Sequence, residues 1–196
     1  MVDSLYKLNW NTALPKDTYL KYASEDIKDY ESKPFGKDQL GFPYDLTKFA
    51  GSDFTKILTT PHGNTLTTEM AKAALLAEQL GKGTLTDFLA VSYSSPDYIG
   101  HSFGPNSWEM VDDYVRLDTE LGNLFDFLDQ QIGKGAYTVF LTADHGACDV
   151  PAHLMDLKIP GGYMDETELT KTVKTFCQNQ YGDSLIASIS NQQIFL

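Results

Sequence analysis

The sequence predicts an α/β fold, a largely parallel β-sheet clad by helices. Two apolar runs, TDFLAVSYS at residues 86–94 and AYTVFLTA at 136–143, are typical of strands that are covered on both faces. A helical periodicity separates them, so we expect crossover connections between parallel strands. The length of 196 residues, with 42% apolar content, predicts one domain over residues 1–196.

The first half of the chain predicts an irregular segment followed by the start of the core. Residues 1–52 carry turn signals and only weak periodicity, which indicates a packing segment with one short helix. Residues 53–196 should form the α/β core, beginning with the short strand FTKILTT at 54–60. A helix that ends at Gly81 should follow, because apolar residues recur at helical spacing. These are Leu66, Met70, Ala73, Ala74, Ala77 and Leu80.

The second half predicts a long helix, a shorter helix and two strands. Asn106 and Glu109 have the spacing of a capping box for a helix that stops at Gly133. Its charged residues should form a solvated or ion-paired face; they are Asp112, Asp113, Arg116 and Asp118. Asp165 and Gly182 should bound the last helix. SLIASI at 184–189 and QQIFL at 192–196 predict closing strands.

Two pairs of an aspartate and a histidine follow the two apolar strands. Asp97 and His101 lie in SSPDYIGHSFGP, and Asp144 and His145 lie in FLTADHGA. Ligands of open α/β sheets bind beyond the carboxyl ends of strands, where both pairs are expected. Carboxylate and imidazole together suit zinc and similar ions, and two such pairs could hold two ions about 4 Å apart. The glycines around Asp97 and His101 favour a tight loop or single turn over a continuous helix.

A structural role is the alternative for each pair. Aspartates after strands often cap a helix or hold a turn, and a strand-end histidine is often a hydrogen-bonding loop residue. Either pair alone favours that role, whereas the two together favour a metal site. Six more residues are candidates for a ligand, anion-binding or nucleophile role, and for each a purely structural role is the alternative. They are His62, His153, Cys148, Ser94, Ser95 and Thr142.

Charge and composition exclude several classes of partner. The formal net charge of −12 argues against binding to nucleic acid or to an anionic membrane. The two cysteines form no spacing pattern of a disulfide framework or a zinc site. No apolar run approaches the roughly 20 residues that span a bilayer, and this chain shows no export signal.

Three motifs together resemble the alkaline phosphatase superfamily: DYIGHSFGP, DDYVRLD and FLTADHGACDVP. The resemblance is strongest to phosphate-irrepressible bacterial alkaline phosphatases, with nucleotide pyrophosphatase/phosphodiesterases next, and it runs over about residues 58–160. It implies α/β/α layers, here incomplete, and two Zn²⁺ ions. Asp97 and His101 would bind one ion, and Asp144 and His145 the other. It also implies hydrolysis of phosphate esters through a covalent phospho-enzyme.

The resemblance further implies that the chain is a central fragment of a larger phosphatase. The family's nucleophile, a further aspartate and a further histidine ligand have no counterpart in this sequence, so the catalytic residue is unknown. The remainder of the parent polypeptide would be the partner, and the parent would be periplasmic or secreted. The isolated chain should bind metal weakly and turn over negligibly. A phosphodiesterase or nucleotide pyrophosphatase and a non-catalytic binding module are the alternatives.

Overall fold

The computed structural model describes residues 1–183, 185–190 and 193–196, and it divides into two compact units, Met1–Val150 and Pro151–Leu196. Each unit is described by itself. Such a division is compatible with one domain, so the single domain predicted from the sequence stays a prediction. Within the described residues, no helix combines the length and the apolar character needed to cross a bilayer.

The N-terminal segment of the first unit builds an aromatic core although it contains little regular structure. Its elements are helix α1 (Val2–Tyr6), helix α2 (Lys16–Tyr19) and a 3₁₀ turn (Thr47–Phe49). Trp10 lies at the centre, with the ring of Phe42 perpendicular to it at 5.2 Å between centroids. Phe103, at the end of the helix Ser95–Phe103, also meets Trp10 edge-on, at 6.3 Å. The irregular segment therefore supplies the surface against which the helices pack.

The segment Phe54–Thr59 is a 3₁₀ helix, and the strand predicted at residues 54–60 is wrong. Asp53 lies at its N-cap, where its side chain accepts a hydrogen bond from the amide of Thr55 at 3.0 Å. This local bond satisfies a backbone donor at the start of the turn and favours helical geometry over an extended chain. The predicted helix that follows is confirmed as α3 (His62–Ala77), and Gly81 adopts φ +76° just beyond it.

Two more helices complete the first unit: α4 (Ser95–Phe103) and α5 (Trp108–Gln131). The capping box predicted at the start of α5 is wrong, because Ser107 is the cap and accepts from the amide of Met110 at 3.2 Å. Glu109 is instead fully buried and accepts a hydrogen bond from the hydroxyl of Tyr44 at 2.6 Å. The helix ends before Gly133, as predicted.

Asp112 and Asp113 are fully buried, so neither lies on a solvated face of α5, and at these two positions the predicted solvated or ion-paired face is found only as the ion pair between Asp112 and Arg116. Asp112 accepts hydrogen bonds from the indole of Trp10 at 2.7 Å, from the amide of Ala13 and from the hydroxyl of Tyr19. On its own helix it pairs with Arg116 at 2.6 Å. One carboxylate thus connects the N-terminal segment to the long helix. Asp118 is exposed, as expected.

The predicted parallel sheet is not present among the described residues. The runs at 86–94 and 136–143 form neither strand nor ladder, and most of their apolar side chains are exposed to solvent, with Phe88 88% and Phe140 86% exposed. A strand is held by backbone hydrogen bonds to neighbouring strands, and within the residues described here neither run has such a neighbour. The apolar pattern alone does not supply one.

The second unit contains helix α6 (Pro151–Asp156), helix α7 (Glu166–Tyr181) and a hairpin of β1 (Ser188–Ser190) with β2 (Gln193–Phe195). The hairpin is antiparallel and pairs Ile189 with Ile194. Asp165 caps α7 by accepting from two backbone amides, and Gly182 ends it at φ +77°, both as predicted. Of the two predicted closing strands, residues 184 and 192 lie outside the described part of the chain.

Replacing Asp112 should strongly destabilise the first unit. In Asp112→Asn, one amide oxygen replaces two carboxylate oxygens, so buried donors lose their acceptor and Arg116 loses its counter-ion. We expect the free energy of unfolding in urea to fall by about 3–5 kcal/mol. Asp118→Asn removes one exposed carboxylate from the same helix and should stay within about 0.5 kcal/mol of the wild type. Equal stabilities of the two variants would contradict the role of Asp112.

Candidate metal centre

Helix α4 presents Asp97 and His101 to solvent on the side opposite its buried residues. Ile99 and Phe103 are buried in the aromatic core, and at 100° per residue Asp97 and His101 project from the other face. The loop or single turn predicted here is therefore wrong. Proline in the first turn is compatible with a helix, and packing of α4 against α5 outweighs the low helix propensity of Gly100.

The loop that carries Asp144 and His145 is tied to the C-terminal end of α4. Gly104 follows the helix at φ +88° and ψ 156°, a region open almost only to glycine. A Cβ atom on Gly104 would lie 2.8 Å from Cγ2 of Val150, so the missing side chain lets the loop approach. The side-chain amide of Asn106 donates to Oδ1 of Asp149 at 2.7 Å. Sequence reasoning missed these contacts, and only the Gly-Pro dipeptide at 104–105 marks a turn there.

The structure brings the four predicted ligands together. Oδ1 of Asp97 lies 3.5 Å from Nε2 of His101 and 3.7 Å from Nε2 of His145. Oδ2 of Asp144 lies 3.5 Å from Nε2 of His145. Two ligands bound to one tetrahedral zinc ion at about 2.1 Å are roughly 3.4 Å apart. The observed separations are close to that value, and Asp97 lies between the two histidines.

The tautomer of His145 is set by its own loop. Its Nδ1 lies 2.9 Å from the carbonyl oxygen of Gly146, which can only accept, so Nδ1 carries the proton. The lone pair is then on Nε2, the nitrogen that faces both aspartates, and this is how second-shell carbonyls orient metal-binding histidines. The same carbonyl, followed by Asp144 and Asp97, raises the pKa of His145 above its usual value.

The donor set fits a divalent cation, although the described residues do not close a site by themselves. Carboxylate oxygen and imidazole nitrogen are ligands of zinc. All four side chains are accessible to solvent, and the least exposed, Asp97, is 48% exposed. Among the described residues, no group of three or more His, Cys, Asp and Glu is placed to hold one ion. Each pair therefore offers two ligands. Metal binding by Asp97, His101, Asp144 and His145 stays a prediction.

The six other candidate residues named from the sequence lie on several different elements. His153 lies on α6 in the second unit, and Cys148 is exposed in the loop after His145. His62 begins α3, where it is buried with Nε2 2.8 Å from the carbonyl oxygen of Asn9, and burial lowers its pKa. Ser95 is also buried, against Gly63. Ser94 and Thr142 are exposed.

Comparison with known proteins confirms the resemblance expected from the motifs. The profile of the family described as type I phosphodiesterase / nucleotide pyrophosphatase matches residues 5–173. A calcium-transporting ATPase of Myroides odoratus is 44% identical over all of this chain and 36% of its own length. Alkaline phosphatase PhoV of Synechococcus elongatus is 48% identical over 80% of this chain and 28% of its own length.

A solved structure matches the whole chain. The crystal structure of wild-type alkaline phosphatase PafA superimposes with a TM-score of 0.91 at 40% sequence identity, over 100% of this chain and 37% of the PafA chain. The chain thus spans about a third of the length of the relatives it matches. The match supports the predicted alkaline phosphatase-like fold, whereas the described residues do not include its parallel sheet.

Replacing Gly104 should disrupt the approach of the loop to α4. In Gly104→Ala, the new Cβ would both strain the backbone and clash with Val150, so we expect a loss of about 1–3 kcal/mol in the free energy of unfolding. The backbone amide resonances of residues 144–149 should shift as the loop moves.

Gly122→Ala is the matched control in the interior of α5. A Cβ atom there meets nothing within 4 Å. Alanine favours a helix over glycine, so this variant should be unchanged or more stable by up to about 1 kcal/mol. If Gly104→Ala is as stable as Gly122→Ala and the loop resonances do not shift, the close contact between Gly104 and the loop at Val150 is contradicted.

Proposed function

Because this chain belongs to the type I phosphodiesterase / nucleotide pyrophosphatase family, we propose that it is a metal-binding segment of a zinc-dependent phosphatase that hydrolyses phosphate monoesters. The observation that supports this most directly is the approach of Asp97 to both His101 and His145, within 3.7 Å. Two residues of α4 lie close to two residues of the loop after α5, although more than forty positions separate the two pairs in sequence. If each pair only capped a helix or held a turn, there would be no reason for the two pairs to lie close together.

The four side chains divide into two ligand pairs. Asp97 and His101 would hold one Zn²⁺ and Asp144 and His145 the other, with Asp97 near enough to both histidines to face either ion. The chemistry that such ions supply is activation of an oxygen nucleophile and stabilisation of charge on phosphoryl oxygens. The residues of this chain contribute orientation: α4 fixes the spacing of the first pair, and the Gly146 carbonyl selects the neutral tautomer of His145 that has its lone pair on Nε2.

The substrate would be a small phosphate ester, and the reaction would pass through a covalent phospho-enzyme. Two of the similar proteins, PhoV and PafA, are named alkaline phosphatases, which favours monoesters. Hydrolysis of phosphodiesters or nucleotide pyrophosphates is the second candidate, favoured by the description of the family itself. Secretion or export to the periplasm belongs to the same proposal for the parent protein.

Zinc titration of the chain and its variants tests the site. Each pair gives two ligands where zinc is usually held by roughly three or four, so we expect weak binding by the 196-residue chain. Asp97→Ala should weaken calorimetrically measured Zn²⁺ binding at least about tenfold, because Asp97 faces both histidines. His153→Ala is the matched control, since it removes an imidazole that is not one of the four proposed ligands and should leave the titration unchanged. Identical titrations of wild type and Asp97→Ala would refute the site.

Turnover separates the two candidate activities. We expect negligible phosphate release by the 196-residue chain, since its described residues leave each ion with too few ligands. In a protein that contains this segment together with a nucleophile, p-nitrophenyl phosphate should be hydrolysed faster than bis-p-nitrophenyl phosphate. A preference for the diester would favour the phosphodiesterase. Tight binding of two ions with hydrolysis by the chain alone would show that two ligands per ion suffice.

A further inference from the structure

Two buried side chains that join α3 to α5 each have one oxygen without a partner. The Nδ2 group of Asn64 donates a hydrogen bond to Oδ1 of Asp113 at 2.9 Å. Both residues are essentially inaccessible to solvent. Among the described residues, neither Oδ1 of Asn64 nor Oδ2 of Asp113 has a hydrogen-bond partner. A buried acceptor without a donor costs on the order of 1–3 kcal/mol, so two such atoms in one contact need an explanation.

A single proton would satisfy both atoms. If Asp113 were ionised, it could only accept, and Oδ1 of Asn64 would find no donor in it. A carboxylic acid can instead pair with a primary amide through two parallel hydrogen bonds that close a ring. We propose that Asp113 is protonated in the folded chain at neutral pH and that its Oδ2 hydroxyl donates to Oδ1 of Asn64. The pair would then be a neutral two-bond lock between α3 and α5.

Rotating the Asn64 amide does not remove the problem. Exchanging its oxygen and nitrogen would place an oxygen 2.9 Å from Oδ1 of Asp113, so an ionised carboxylate would again face an acceptor. Only protonation of Asp113 gives this contact one donor for each acceptor in either orientation.

The surroundings of Asp113 favour its neutral form. Burial, and then the neighbouring Asp112, raise its pKa from 3.8 to about 7, whereas Asn64 and Arg116 lower it. Arg116 is already engaged, since its Nε bonds Asp112 and its Nη2 bonds the carbonyl oxygen of Asn11, both at 2.6 Å. A hydrogen bond from the acid to Asn64 exists only in the neutral form and raises the pKa further.

Other elements add few titratable groups at this contact. His62 of α3 is buried, and the ionisable groups acting on it are Arg116, Asp112 and Glu120. The hydroxyl of Tyr93 pairs with Thr68 of α3 at 3.1 Å. The titratable residues of α4 are exposed: Asp97, Tyr98 and His101.

The lock should weaken as pH rises. Because the pKa of Asp113 is higher in the folded than in the unfolded chain, its stabilising contribution is complete below about pH 4. That contribution is lost as the pH rises through the folded value. Relative to a variant that cannot titrate, the unfolding equilibrium constant should increase by up to about tenfold per pH unit from about pH 4 to about pH 7.

Asp113→Asn is the discriminating variant. Its amide keeps the shape of the acid and can form both hydrogen bonds with Asn64, so it should fold and should lack the pH dependence just described. In infrared spectra at about pH 5.5, below the folded pKa of Asp113, the carbonyl band of protonated carboxylic acids should be weaker in this variant than in the wild type by the intensity of one group. Asp118→Asn removes an exposed carboxylate from the same helix and should leave that band unchanged. Equal bands in wild type and Asp113→Asn, or urea unfolding with the same pH dependence, would overturn the proposal.

Asn64→Ala tests the pairing itself. Without the amide, the acid loses its acceptor, and its carbonyl band should move to higher frequency; an unmoved band would show that Asn64 is not the partner. If this variant does not fold, the side-chain amide resonances of Asn64 in the wild type give the same information. They should shift with the titration of Asp113, and constant resonances would refute the pairing. None of these measurements depends on metal binding or turnover, so failure here leaves the proposed phosphatase function untouched.

Discussion

The carboxylate of Asp112 is the contact on which the first unit depends. The N-terminal segment has only short helices and turns, so its own backbone bonds cannot hold it in one conformation. Asp112 gathers Trp10, Ala13 and Tyr19 against α5. Once Trp10 is fixed, its ring provides the surface for Phe103, and the core-facing side of α4 is determined. When the buried face of α4 is fixed, the opposite face is fixed as well, so Asp97 and His101 point to solvent.

The sequence predicts most of the helices correctly, whereas the predicted parallel sheet is not confirmed among the described residues, and one physical reason accounts for the difference. Helices close their hydrogen bonds locally, so periodicity and caps such as Asp165 suffice to place α3, α5 and α7. A strand closes its hydrogen bonds with a distant segment, and the apolar runs at 86–94 and 136–143 have none among the described residues. The sequence does not predict helix α4, because the low helix propensity of Gly100 is visible in the sequence whereas the packing of α4 against α5 is not.

The burial of charged residues on α5 could not be predicted from the sequence. A charged residue on an amphipathic helix normally faces water, and nothing in the local pattern distinguishes Asp118, which does, from Asp113, which does not. The residues that bury these carboxylates lie about fifty to one hundred positions away in the sequence, as Asn64 does for Asp113 and Trp10 for Asp112. Burial also changes the charge balance, since it raises the pKa of Glu109 to about 8 and that of Glu31 to about 7. The formal charge of −12 therefore overstates the negative charge near neutral pH.

The same field that attracts cations to the candidate centre repels its proposed substrate. Asp97 and Asp144 project into solvent, each within 3.7 Å of Nε2 of His145, and a phosphate ester that approached them alone would meet like charge. Cations bound between the pairs reverse the sign of that local field. Under the proposed function, metal must therefore bind before substrate. The ligand pair on α4 is held by a packed helix and the pair at 144–145 by loop contacts, so the first pair is the more preorganised of the two and the second is the one whose position the loop can alter.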